Sequence, residues 1–139
     1  MTTEAESTGG AGKRHDLAET FFERGRILAR TGEFEQAIDL FIHGLSLSPN
    51  RIDAHCELRT IALERKVSGG MGVGIMQALR FNRRTSDHVR GMMNAERLLS
   101  YDPGNTDYML RLLQESAKAG LSDVTTWIEA ILQKATTVH

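Results

Sequence analysis

A chain of 139 residues, 40% hydrophobic and 25% charged, is ordinary globular composition; it is too short to hold a catalytic domain beside a separate regulatory one, and wholesale disorder is excluded. Seventeen Lys plus Arg against eighteen Asp plus Glu leave a net charge of -1, which argues against a dedicated, strongly basic nucleic-acid binder. One cysteine, Cys56, can form no internal disulfide, residues 1–20 lack the apolar segment of a signal peptide, and no run approaches a membrane span, so a soluble cytoplasmic protein with at most peripheral membrane contact is expected.

Residues 1–15 contain no large apolar side chain between Met1 and His15, so they are expected to form a mobile tail ahead of a domain spanning 16–139. Asp16 with Glu19 three residues later resembles a capping box, and Leu17, Phe21, Phe22 and Leu28 repeat at helical spacing behind it. Thr31-Gly32 closes that helix, since glycine tolerates the left-handed cap. A second stripe follows at once in Phe34, Ala37, Ile38, Phe41, Ile42 and Leu45, up to Ser48-Pro49-Asn50. Two helices joined by so short a turn lie antiparallel. The third run, about Ile52 to Lys66, presents Leu58, Ile61, Ala62 and Leu63.

Regularity breaks at Ser68-Gly69-Gly70, and a glycine-rich, apolar and basic stretch continues to Thr85. Within it Ile75, Met76 and Leu79 have the spacing of a short helical face, and a short amphipathic helix over Met71 to Phe81 is expected, docked on the domain's own groove or on a partner. Its four glycines, 69, 70, 72 and 74, read as a flexible hinge; their spacing matches neither GxGxxG nor GxxxxGK[ST], and no strand precedes them. A fourth long helix is expected over Asp87 to Ser100 with Val89, Met92, Met93, Ala95 and Leu98 inside. Helices over Thr106 to Ala119 and Ser122 to Ala135 follow, with Gly120 at their turn and Val124, Trp127, Ile128, Ile131 and Leu132 on the last. No segment reads as a strand.

Laid end to end, these runs make three helix pairs, the mark of an internal repeat. From Ala18 to Arg51, Phe21, Gly25, Leu28, Gly32, Phe34, Ala37, Phe41 and Pro49 stand at the spacing of a 34-residue tetratricopeptide repeat, and the segment resembles that family. The resemblance is weaker over Asp87 to Ala135 and absent between Ser68 and Thr85; Arg24 stands where the family usually has leucine. The fold class implied is all-α, antiparallel pairs stacked as a short right-handed α-solenoid. Its repeats are 16–50, 51–103 with an insertion at about 67–86, and 104–136. Pro49 to Pro103 is 54 residues, about twenty more than a plain repeat allows.

Catalysis has little in its favour. The five histidines are scattered and read as surface or capping residues, none paired at metal-ligand spacing. His55 and Cys56, adjacent in the chain, leave a helix in different directions, which makes Cys56 a buried structural thiol. No cofactor is expected. The resemblance implies instead a protein-protein interaction module, an adaptor or scaffold whose concave wall is lined by the first helix of each pair. Carried over by position, that wall comprises Glu19, Phe22, Arg26, Ala29 and Arg30, then Asp53, Cys56, Thr60 and Leu63, then Asp107, Leu110, Arg111, Gln114 and Lys118. One exposed aromatic, Phe22, among arginines would suit a peptide with acidic and apolar side chains. The alternative rests on the insertion, where Ile75, Met76, Leu79, Phe81, Arg83 and Arg84 combine apolar and basic character. There the segment would attach the domain to an anionic membrane surface or nucleic acid, or the repeats would self-associate as a homo-oligomer.

Overall fold

A computed structural model of the chain describes residues 3–137, with side chains at residue 10 and from residue 12 onward. The described residues form seven helices and no strand: α1 Thr3–Arg30, α2 Phe34–Leu47, α3 Ile52–Val67, α4 Ile75–Phe81, α5 His88–Tyr101, α6 Thr106–Lys118 and α7 Ser122–Thr137.

Helix α1 runs back to Thr3 rather than beginning at Asp16, so the expected capping box lies inside a helix already under way. Thr20 Oγ1 donates to the Asp16 carbonyl at 3.1 Å, as in a continuous turn. Propagating a helix costs far less than nucleating one, and the packed half from Ala18 onward supplies the nucleus. Met1 and Thr2, part of the expected tail, lie outside the described residues. The buried stripe of α1 is Ala18, Phe22 and Gly25, one helical face, while Leu17 is half exposed and Phe21 only half buried beside His43. Phe22 meets Phe41 of α2 with ring centroids 5.3 Å apart. Both rings need small neighbours. A Cβ on Gly25 would stand 2.6 Å from Phe41, and one on Gly44 would overlap Phe22. Gly32, at φ 82, closes α1, and Glu33 N–H donates to the Leu28 carbonyl at 2.9 Å. Of α2's expected stripe Ala37, Ile38, Phe41, Ile42 and Leu45 are buried, and Phe34 at the helix start is partly buried.

The second expected pair, α3 with α5, is not an antiparallel hairpin. Arg65 near the end of α3 bonds Glu35 near the start of α2 at 2.6 Å, so α2 and α3 are antiparallel. Arg97 of α5 pairs with Asp39 of α2, and Tyr101 lies under Arg65, so α5 is antiparallel to α2 as well. Helices α3 and α5 therefore run in the same direction: His55 meets Glu96, Arg65 meets Tyr101, and Arg59 reaches the Pro103 carbonyl just past α5 at 3.0 Å. This explains the length of residues 68–87. To bring the next helix in parallel, the chain has to travel back about the length of α5, 14 residues or about 21 Å, which a short turn cannot do. The segment is a crossover, not an ornament on a hairpin.

Helices α5, α6 and α7 then alternate in direction. Gly91 faces Glu115, Ser116 Oγ lies 2.8 Å from Thr125 Oγ1, and Gly120 at φ 76 closes α6. Asp87 and Asn105 accept from the N–H groups of Arg90 and Tyr108, both at 3.1 Å, capping α5 and α6. Trp127 of α7 lies 5.4 Å from the His55 ring, so α7 reaches α3. One apolar core joins Phe22, Phe41, Leu58, Met92, Leu112 and Ile128.

Candidate functional site

The expected concave wall divides in two. Its first part is an open groove of about 330 Å³ between α1 and α3, where Arg26, Ala29, Arg30 and Thr60 meet Glu57, Ile61 and Glu64. Arg26 grips Glu57 with both ends of its guanidinium, Nε to Oε2 at 2.6 Å and Nη2 to Oε1 at 2.9 Å, and reaches Glu19 at 3.3 Å. Arg51 ties the same Glu19 at 2.9 Å and Asp53 at 2.8 Å. These arginines hold the Glu19 carboxyl below its ordinary range, Arg51 more than Arg26. Arg26 is thereby committed to the fold's own acids, which leaves Arg30 as the exposed cation of the groove.

Phe22, expected on this wall, is fully buried against Phe41 and carries no binding surface. Of the two adjacent phenylalanines the hollow over Gly44 takes Phe22, while Phe21 rests half-buried against His43 of α2. Cys56 is exposed and not a buried thiol, and it lies outside the groove's lining. Leu63 is largely exposed too.

Helix α6 contributes elsewhere. Arg111, Gln114 and Lys118 face the crossover, lining with Arg83, Arg84 and Asn94 a small hollow of about 40 Å³, while Leu110 lies exposed outside both linings. Arg111 Nη1 donates to Asn82 Oδ1 at 2.6 Å, fastening the crossover to the third pair. Next to this hollow is a larger one of about 380 Å³, lined by Arg80, Phe81, Arg83, Arg84, Thr85, Arg90 and Asn94 without a carboxylate. Among the described residues none of its four arginines is in an ion pair.

The expected short helix is present as α4, starting at Ile75, but its apolar face is not docked on the domain. Gln77, Ala78 and Phe81 are its half-buried residues, and Phe81 is held by Arg97 of α5 at 5.1 Å. Ile75, Met76 and Leu79 are 81, 78 and 63% exposed. At about 100° per residue these three fall within one arc of about 100°, turned away from the body. The glycines are less of a hinge than expected. Gly69 at φ 90 caps α3, and a Cβ on Gly70 would stand 2.6 Å from buried Arg65.

One strongly polar element escapes sequence reasoning. His55, expected at the surface, is buried; its Nδ1 bonds Glu96, itself buried, and its Nε2 lies 2.9 Å from the Pro49 carbonyl. With both ring nitrogens facing oxygens, a carboxylate at Glu96 lets both donate, an arrangement that favours the imidazolium. Burial opposes that charge, but the Glu96 carboxylate and the Pro49 carbonyl outweigh it and hold the His55 pKa above the ordinary histidine value. The signal was available in α5, where Glu96 interrupts the stripe Met92, Ala95, Leu99. The only space beside the pair among the hollows described, about 10 Å³ between Leu58, Glu96, Leu99 and Trp127, admits no substrate. Among the described residues no group of three or more His, Cys, Asp or Glu is placed to hold a metal, and no helix is long and apolar enough to cross a membrane. Compared with known proteins, the chain matches no family model, no curated protein and no solved structure.

Proposed function

We propose that this chain is a non-catalytic interaction module, TPR-like in its first hairpin, that holds a segment of a partner polypeptide in the groove between α1 and α3. The observation that carries the reading is the meeting of Ala29, Arg30, Thr60 and Ile61, from helices separated by α2, in one open groove of about 330 Å³. Its floor is small and apolar, and its rim offers Arg30 on one side and Glu64 on the other. A peptide would seat an apolar side chain over Ala29 and Ile61 and set an acidic group at Arg30. The exposed, solitary Cys56 fits a reducing compartment such as the cytoplasm, where a lone thiol persists. A photoreactive residue at Thr60 should yield one discrete adduct in cells, lost on Arg30→Glu. The same probe at Gln36, exposed on α2 and outside the groove lining, should not. Equal labelling from both positions would move the site off this groove.

A further inference from the structure

We propose that α4 and the arginine hollow beside it form a second binding surface, for an anionic lipid membrane, with the apolar stripe entering the interface and the hollow taking a phosphate headgroup. The proposal rests on the inversion of α4. An ordinary surface helix turns its apolar stripe inward; here Gln77, Ala78 and Phe81 face the body and Ile75, Met76 and Leu79 face out. Val67 at the end of α3 and Met71 on the connection ahead of α4 are also apolar and exposed, 89 and 82%. Nothing lies within 4 Å of a Cβ built on Gly72 or Gly74, so the backbone between Met71 and Ile75 is open on its sides.

Charge selects the occupant. Arg80 directly follows Leu79 on α4 and also lines the hollow of about 380 Å³ with Arg83, Arg84 and Arg90, so stripe and cations are continuous. A second copy of the chain laid on this face would bring the same arginines against these, and repulsion disfavours that dimer. The occupant must be anionic and apolar at once. A nucleic acid would use the arginines and leave Ile75, Met76 and Leu79 in water. An acidic protein would need a pocket shaped to a protruding ridge of isoleucine and methionine, whereas lipid tails adapt to any apolar shape. An anionic bilayer surface meets both demands without complementarity of form.

The test is co-sedimentation of the full chain with vesicles of phosphatidylglycerol and phosphatidylcholine, and with phosphatidylcholine alone, at low and at physiological salt. The mixed vesicles should bind and the neutral ones should not. Arg83→Gln with Arg84→Gln should weaken binding by about 25-fold, roughly fivefold per arginine. Ile75→Ser, Met76→Ser and Leu79→Ser together should abolish the binding that survives physiological salt, because apolar burial is not screened. All three side chains are exposed, so this variant should melt like the parent. The proposal is overturned by absence of binding to mixed vesicles at low salt, by undiminished binding of the triple variant, or by binding of a single-stranded oligonucleotide or an acidic protein in place of vesicles.

Discussion

The first hairpin and the crossover are built on opposite principles. In α1 and α2 the two buried aromatic rings each have a glycine facing them: Phe41 lies over Gly25 and Phe22 over Gly44, so the pair is a fitted interface that tolerates no added carbon. Residues 68–87 set the direction of α5 through their length, rest on the body at Phe81 and Asn82, and leave Met71, Ile75, Met76 and Leu79 in water. One region is fixed by packing and the other by reach. Truncating side chains should therefore be costly in the core of the first and nearly free at the exposed positions of the second, while shortening the crossover should disrupt the whole fold.

The largest effect should come from deleting 70–86 and joining Gly69 to Asp87, a turn too short to span about 21 Å. A short turn brings α5 in antiparallel to α3, which separates His55 from Glu96 and Arg65 from Tyr101. Loss of a single cooperative thermal transition is the expected result; a deletion that melts like the parent would mean that α5 does not need its parallel course. Next is Phe22→Ala, expected to cost about 3–5 kcal/mol in urea denaturation, as for other fully buried phenylalanines. Met76→Ala, in the crossover, should stay within about 0.5 kcal/mol. Similar values for the two would erase the contrast.

These two positions also mark how far the sequence could be read. Periodicity found every long helix, the closures at Gly32 and Gly120, and the large buried side chains of α2. It could not choose between Phe21 and Phe22, because neighbours about 100° apart lie on overlapping faces until the partner helix supplies a hollow. Nor could it orient α5: a repeat pattern presumes hairpins, and only the contacts of Glu96, Arg97 and Tyr101 show the parallel course. Of the expected wall, Arg26, Ala29, Arg30 and Thr60 do meet, whereas Arg111, Gln114 and Lys118 face the crossover because α6 packs on α5.

The buried pair that depends on this parallel course should announce itself in the pH dependence of stability. His55 has a folded pKa above the ordinary 6.5, so its contribution is complete below about 6.5 and drains as pH rises through the folded value. One proton limits the slope to about 1.4 kcal/mol per pH unit. Glu19, Glu35 and Asp53 have lowered values, the first two from 4.5, so their contribution is lost in acid; all three are well exposed and it is small. Stability should peak between about 4.5 and 6.5, the ordinary carboxylate and histidine values, and fall on the alkaline side. In Glu96→Gln the alkaline slope should disappear; its persistence would place the titrating group elsewhere.

A last contrast separates backbone shape from reach inside the glycine cluster itself. Gly69 takes φ 90 and ends α3, a conformation in which a Cβ crowds the following carbonyl. Gly69→Ala should therefore cost about 1–2 kcal/mol although nothing lies within 4 Å of the added carbon, a penalty of backbone shape alone. Gly72 has the same open surroundings without a left-handed φ. Alanine there removes freedom from the unfolded chain at no native cost, and Gly72→Ala should be neutral or stabilising by up to about 1 kcal/mol. Chemical denaturation of the two variants side by side reads the difference. If both are destabilised alike, residues 69–74 act as one flexible unit, as a hinge would, and Gly69 is not a fixed cap; if they differ in sign, the crossover begins from a rigid corner and only its later part is free to follow whatever α4 binds.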